Sequence, residues 1–400
     1  MTLDQIIAKY QEVYYIEDTS AIALVCAVVL SSKTAGDPIW LMLVGASSSG
    51  KTEMLNAISG AVDVHEIAML TTNTFLSGMK PSKGKETSLL LKINRNSILL
   101  HRDFTTILSM NKDDQQALMA QLRQVYDGNF VKDTGTGDSL VWKGKITLLA
   151  AVTEKIHVLE SKFSGMGTRA IQYTLPAQDR MATTRRAAKI AKNIKASREE
   201  IKSYFNGYLN EMMPIVMAAQ FEVPVEISEN ILKVCDVAAV ARSPVERDFR
   251  GRMELVLSPE MPMRMSNQLH QLGATFMAME GGVLKKEHEA ILYKIAFDSI
   301  PKGRRLALRE LAAHSYITSK ACAIALNYET ERVRMWLEEL NVLGICTREI
   351  KGKGNEGDKW SLKEEYKEIV GLFDKIKNTG EALETADADA EDTMDEWGGF

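Results

Sequence analysis

Four cysteines in 400 residues, Cys26, Cys235, Cys322 and Cys346, stand far apart and form no C-x-x-C pair. That scarcity excludes a disulfide framework, gives no zinc-ligand spacing and fits a reducing cytoplasm. Long apolar runs are missing too. The best candidate, Ala21 to Leu30, is half of the roughly 20 residues a bilayer crossing needs, and no basic leader precedes it. It reads as a buried helix, so no membrane partner is expected. Acids and bases nearly cancel, at a formal net charge of −4. They are unevenly spread: Glu381 to Glu396 holds eight acids and no base, so the chain before it carries +4. A mildly basic body with an acidic tail suits a nucleic-acid partner without establishing one. With 45% hydrophobic residues the chain can bury substantial cores, and its length suggests two or three domains.

What is present is organised around Gly45-Ala46-Ser47-Ser48-Ser49-Gly50-Lys51-Thr52, directly after the apolar run Ile39 to Val44. The pattern G-x-x-x-x-G-K-[ST] lets backbone N–H groups curl around a phosphate chain. Lys51 then reaches the outer phosphates and the Thr52 hydroxyl takes a place on Mg²⁺. A strand-like run before it and a helical stretch, Thr52 to Ile58, after it are the context such a loop requires.

The first 35 residues hold two apolar helical stretches, Ile6 to Tyr15 and Ala21 to Leu30, and leave no room for a separate N-terminal catalytic domain. After the loop, the runs Ile67 to Leu70, Ile98 to Leu100 and Ile146 to Val152 alternate with helical segments, which implies a parallel α/β sheet with its ligand at the carboxyl ends of the strands. Lys80 to Lys85 is polar and reads as a flexible loop. Asp103, just past the second run, is either a carboxylate for the Mg²⁺ side of the site or a cap for Thr105 to Leu108. Thr153, ending the third, either orients an attacking water, senses a terminal phosphate or is an ordinary strand-end threonine. Between them, Phe130 to Lys143 has the pattern of a hairpin. Its Lys132, Trp142 and Lys143 would offer two cations and a stacking surface to single-stranded DNA, or be solvated side chains of no special role.

Together, the phosphate loop, Thr74-Phe75-Leu76-Ser77-Gly78, Arg102 to Met110 and Gln121 to Gly128 resemble the AAA+ ATPases of phages and mobile elements, relatives of helicases of the minichromosome-maintenance type. The resemblance covers roughly residues 36 to 280. It implies ATP with Mg²⁺ at the subunit boundaries of a homo-oligomeric ring, usually a hexamer. Phe163 to Arg169 is similar to the segment whose arginine enters a neighbour's site, which nominates Arg169. Pro262 to Leu269 is similar to the lid helix whose arginine touches the γ-phosphate, which nominates Arg264. Either arginine is also compatible with a surface ion pair. One departure matters: many such enzymes follow the metal-side Asp with a Glu that activates water, whereas Phe104 follows Asp103. The general base is therefore left open, between Asp103 itself and a carboxylate from elsewhere.

Arg180 to Lys202 is strongly basic, either a phosphate-tracking face or a solvated face of the lid. Thr318 to Leu326, Asn327-Tyr328-Glu329 and Thr330 to Leu340 have helix-turn-helix spacing. The segments Ile345 to Ile350, Lys351 to Asn355 and Lys359 to Leu362 then suggest a β-wing, so the whole resembles a winged helix, with Val333, Trp336, Leu337 and Leu340 on its buried stripe. Arg332, Arg334, Lys351 and Lys353 would meet DNA phosphates, although Glu329, Glu331, Glu338 and Glu339 also fit a protein-docking role. The tail ends Trp397-Gly398-Gly399-Phe400. It is either a solubilising brush or, like the acidic Phe-ended tails of single-stranded-DNA-binding proteins, a dock for a replication protein or polymerase.

The expected architecture is α/β: an N-terminal helical lead-in (1–35), an AAA+ P-loop core with a parallel sheet flanked by helices (36–180), a helical lid (181–285), a winged helix (286–377) and a disordered acidic tail (378–400). The expected function is an ATP-driven DNA motor, a ring-forming replicative helicase or helicase-like initiator of a phage or mobile element. Its rival is a nucleotide-switched regulator or assembly factor of recombination, transposition or transcription that never unwinds.

Overall fold

The computed structural model describes residues 1–77, 86–133, 139–158, 169–248, 250–350 and 357–372. The polar loop expected at 80–85, most of the segment 163–169, the wing turn with Lys351 and Lys353, and the acidic tail lie outside the described residues.

Up to the lid, the strands are β1 (Trp40–Val44), β2 (Val64–Ile67), β3 (Asn96–His101), β4 (Asn129–Asp133), β5 (Ser139–Lys143), β6 (Lys145–Val152) and β7 (Ala170–Thr174). β4 and β5 pair as an antiparallel hairpin, and the other five form a parallel sheet in the order β2-β3-β6-β1-β7. The chain leaves β1 for the far edge at β2, and returns over β1 when it passes from β6 to β7. The carboxyl end of β1 is therefore a topological switch point, where open α/β sheets form their ligand crevice. The register fixes which residues meet there. Val44 pairs with Val152 on one side and Thr174 on the other, and His101 pairs with Ala150.

Side chains alternate along these strands, and both faces of the sheet are covered. Leu41, Leu43, Ile98, Leu100, Leu149 and Tyr173 face one apolar cluster, which also takes in the helices Leu3–Val13, Ser20–Ser31 and Lys51–Ala57. Trp40, Met42, Val44, Leu99, Leu148 and Val152 face another, with Phe104, the helix Lys112–Tyr126, Phe130 and Trp142. Burial on both sides is why the strands read as unbroken apolar runs. Two strands differ from expectation. β2 begins three residues before Ile67, and Leu70, only 1% exposed, packs from the following loop. β7 is an additional strand, with Ile171 and Tyr173 fully buried. The stretch Ala21 to Leu30 lies in a helix buried on every side, and no helix among the described residues is long and apolar enough to cross a membrane.

The region expected as a lid holds the helices Arg180–Ile190, Ile194–Ala218, Val225–Ala241 and Met263–Met279, with a two-stranded insert, β8 (Val245–Arg247) and β9 (Met253–Val256). The next helix, Lys286–Asp298, packs against β7, and its Asp298 carboxylate accepts from Thr174 N at 2.7 Å. Lys294 and Arg305 neutralise that buried acid at 3.1 and 2.6 Å. After the helix Lys302–Ala313 come β10 (Ile317–Thr318), the helices Ser319–Leu326 and Thr330–Val342, and β11 (Cys346–Glu349) with β12 (Lys359–Leu362) in a sheet of order β10-β12-β11. Asn327 makes the turn between those two helices in the left-handed region, at φ 55°. Val333, Leu337 and Leu340 are fully buried, whereas Trp336 is only half-buried, lying edge-on to Tyr328 and against Gly303. The apolar cluster under the sheet continues through the helices after β7 into this last unit.

Candidate functional site

The loop Gly45 to Thr52 leaves the carboxyl end of β1 and turns into the helix Lys51–Ala57. Its two glycines serve different ends. Gly50 sits at φ 87° with open space where a Cβ would be, so backbone conformation alone requires glycine. At Gly45 a Cβ would lie 3.0 Å from Ser49 Oγ and 3.4 Å from Leu175, so there the loop needs close approach. Ser48 adopts φ 65° without being glycine, a strain of roughly 1–2 kcal/mol.

Lys51 is 6% exposed, and its Nζ donates to Gly45 O (2.7 Å), Ala46 O (2.5 Å) and Ser49 Oγ (3.0 Å). It thereby holds the loop closed on itself. Burial pushes its ammonium down to about 8, against the pull of Glu154 and then Asp103, which favour the charge.

Asp103 follows β3, and Thr153 follows β6, the strand between β3 and β1. Asp103 Oδ1 accepts from Thr105 N at 3.2 Å, so the helix-capping contact is made, and the carboxylate remains exposed. Thr153 is linked to Thr105, hydroxyl to hydroxyl, at 3.2 Å. The exposed Thr52 hydroxyl and Asp103 carboxylate are hard oxygen donors suited to Mg²⁺, which is commonly held by one or two protein oxygens together with substrate phosphates and water. Among the described residues no group of three His, Cys, Asp or Glu offers a metal cage, and such a site needs none. Phe104 points the other way, fully buried with its N–H on Ala151 O at 2.8 Å.

Beside the loop opens a cavity of about 590 Å³, a size that admits a nucleotide. Its floor is Ser48 to Met54. Its walls come from the N-terminal segment (Tyr10, Val13, Tyr14, Tyr15, Ile16), from Gln178 after β7, and from lid residues Thr183, Arg186, Ala187, Ile190, Ala191, Ile194 and Arg198. Sequence reasoning missed these walls; the clustered tyrosines Tyr10, Tyr14 and Tyr15 were the available signal. The basic stretch Arg180 to Lys202 is split by a break at residues 191–193, after which Arg186 and Arg198 both reach the cavity. Arg186 donates to Glu12 O at 3.2 Å, and Arg198 grips Glu53, which also accepts from Tyr14 Oη at 2.7 Å. Arg185, Lys189, Lys192 and Lys195 stay exposed.

The nominated arginines lie elsewhere. Arg169 immediately precedes β7, whose first residue, Ala170, pairs with Trp40 at the amino end of β1. Arg169 therefore sits at the opposite end of the sheet from its own loop. It forms a two-pronged pair with Asp127 (3.2 and 3.0 Å) and lies 5.8 Å from the Tyr126 ring centre. Arg264 lies 6.0 Å from the same ring and pairs with Glu260 at 3.1 Å. Arg264 therefore lies near the amino end of the sheet, away from the loop of its own chain. Arg169 and Arg264 share one surface.

Two of the three expected hairpin contacts are corrected. The register Phe130↔Trp142 and Lys132↔Leu140 turns these four residues to the inner face. Trp142 is 3% exposed in the core, and Lys132 Nζ donates to Leu76 O (2.8 Å), Asn73 Oδ1 (3.0 Å) and Thr72 O (3.3 Å), tying down the loop after β2. Lys143 remains exposed, beside the exposed pair Val131 and Val141. In the C-terminal unit, Arg332 is exposed, while Arg334 pairs with Glu331 and, at 3.8 Å, Glu338. Glu338 and Glu339 hold the helix Thr330–Val342 to its neighbours through Arg247, and Glu339 also binds Arg304 at 2.8 Å.

No protein-family model and no curated protein matches this chain. Among solved structures, a "putative ATPase" from Cytophaga hutchinsonii is similar at 12% identity and a TM-score of 0.42, over 73% of this chain and 84% of that one. A likeness of that size carries no functional inference, so function is read from the residues around Lys51.

Proposed function

We propose that this chain binds ATP with Mg²⁺ in the cavity beside Lys51 and hydrolyses it. The observation that carries the reading is that Lys51, Asp103 and Thr153 follow three adjacent strands at the same end of the sheet, and that Lys51 lines a cavity of about 590 Å³. Lys51 and the loop N–H groups bind the phosphates, Thr52 and Asp103 hold Mg²⁺, and Thr153 orients the terminal phosphate or the water that attacks it. Mg²⁺, when bound, neutralises charge on the β- and γ-oxygens.

The chain works as a homo-oligomeric ring, a hexamer by the resemblance, in which Arg169 of one subunit completes the site of the next. The distance of Arg169 from its own loop supports this, since a finger acting across a boundary belongs on the far side of its subunit. Arg264, on the same surface, is proposed to face the same neighbour. The ring moves on DNA as a replicative helicase or helicase-like initiator of a phage or mobile element, in the host cytoplasm. Lys143, Arg332, Lys351 and Lys353 are its proposed DNA contacts, with a weaker part for the ion-paired Arg334. The tail ending in Phe400 is proposed to dock on a replication protein or polymerase.

The burial of Trp142 and the internal bonds of Lys132 favour a second reading, a nucleotide-driven regulator or assembly factor that does not unwind. Strand displacement on a forked duplex separates the two. ATP-dependent displacement, abolished by Lys51→Ala, supports the motor; hydrolysis stimulated by DNA without displacement supports the switch.

A further inference from the structure

Phe104 occupies the position after the metal-side acid and is buried in the core, so no carboxylate is available there. Asp103 is assigned to Mg²⁺ and already accepts from Thr105 N. The next carboxylate along this edge is Glu154, which follows Thr153 at the carboxyl end of β6, between the loop strand β1 and the acid strand β3. It is held from outside the core: Lys302 Nζ, at the start of the helix Lys302–Ala313, donates to Glu154 Oε2 at 3.4 Å. The same helix carries Arg305, bound to the buried Asp298 that caps Thr174 beside the loop.

Resting on the ATPase reading above, we propose that Glu154 is the general base, and that its pairing with Lys302 restrains it. The step is a displacement. The water oxygen forms a bond to the γ-phosphorus, Glu154 takes the water proton, and the bond from the γ-phosphorus to the β–γ bridging oxygen breaks, leaving its electron pair on ADP. The lysine contact competes with the water for the carboxylate oxygen. Lys302 acts only through Glu154 and is a positioning residue.

The test compares full-length wild type, Glu154→Gln, Glu154→Asp and Lys302→Ala for binding of a fluorescent ATP analogue and for phosphate release at saturating Mg-ATP. Glu154→Gln should bind like wild type but release phosphate about 10²–10⁴-fold more slowly. Glu154→Asp should fall between. Lys302→Ala should bind normally and turn over roughly two- to fivefold faster, the effect of freeing a half-exposed ion pair. Wild-type turnover by Glu154→Gln overturns the base assignment, and unchanged or slower turnover by Lys302→Ala overturns the restraint. A wild type that binds the analogue without hydrolysing ATP refutes the ATPase reading and this proposal with it, a failure distinct from an active Glu154→Gln.

Discussion

Thr153 leans on Thr105: their hydroxyl oxygens lie 3.2 Å apart, and Thr153 N donates to Thr105 Oγ1 at 3.1 Å. Since Thr105 N in turn donates to Asp103 Oδ1 at 3.2 Å, a short chain of contacts ties the end of β3 to the end of β6. Groups proposed to act on one phosphate are thereby held in fixed relation.

Thr105→Val keeps the shape of the side chain and removes the hydroxyl. It should cost stability only about 0.5–1.5 kcal/mol, the net worth of a hydrogen bond, yet lower turnover at least tenfold because Thr153 loses its support. Thermal melts and phosphate release on the same preparation check both halves; a variant with normal turnover would show that Thr153 needs no fixing.

The pH dependence of binding follows from Lys51. In the folded chain burial brings its pKa from 10.5 down to about 8, so above that pH the free protein holds a neutral amine. Bound phosphates restore the charge, hence binding takes up a proton and should weaken by up to about tenfold per unit as pH rises beyond 8. For folding the sign is related. The buried charge is a load present below pH 8 and relieved as pH rises towards 10.5. Titration calorimetry in two buffers of different ionisation heat measures the proton uptake; none at pH 9 would contradict the assignment.

Lys51 and Asp103 carry local signals: a loop motif between a strand and a helix, and an acid at a strand end. The walls of the cavity do not. Tyr14, Arg186 and Arg198 line one cavity with Lys51 only because the helices after β7 pack over the first helices, and no spacing in the sequence encodes that arrangement. Trp142 and Lys132 were misassigned for another reason. A hairpin pattern says that alternate residues share a face, but which face is inward depends on the register and on what packs beneath it, here Leu76 and the helix Lys112–Tyr126. For Arg264 the motif marks a helix start but not the end of the sheet at which it lies.

The hairpin therefore makes a stability prediction rather than a binding one. Trp142→Ala should destabilise the chain by about 3–5 kcal/mol, as truncation of a large buried aromatic does, while Val141→Ala on the exposed face should cost little. Chemical denaturation of the two variants checks the contrast; equal, small losses would return Trp142 to the surface.

Arg169 offers a test of subunit cooperation. Arg169→Ala and Lys51→Ala should each be inactive, and a mixture should recover part of the wild-type hydrolysis at those boundaries where an intact loop meets an intact arginine. Mixed assemblies that form, as shown by sedimentation, and stay inactive would place Arg169 in its ion pair with Asp127 as a structural residue only.

The most direct measurement is hydrolysis itself. Purified full-length protein, supplied with saturating ATP and Mg²⁺, should release phosphate, and Lys51→Ala should abolish that release while its thermal melt stays cooperative. If Lys51→Ala hydrolyses ATP at the wild-type rate, or the wild type neither binds nor hydrolyses nucleotide, the cavity beside Lys51 is not an ATPase site.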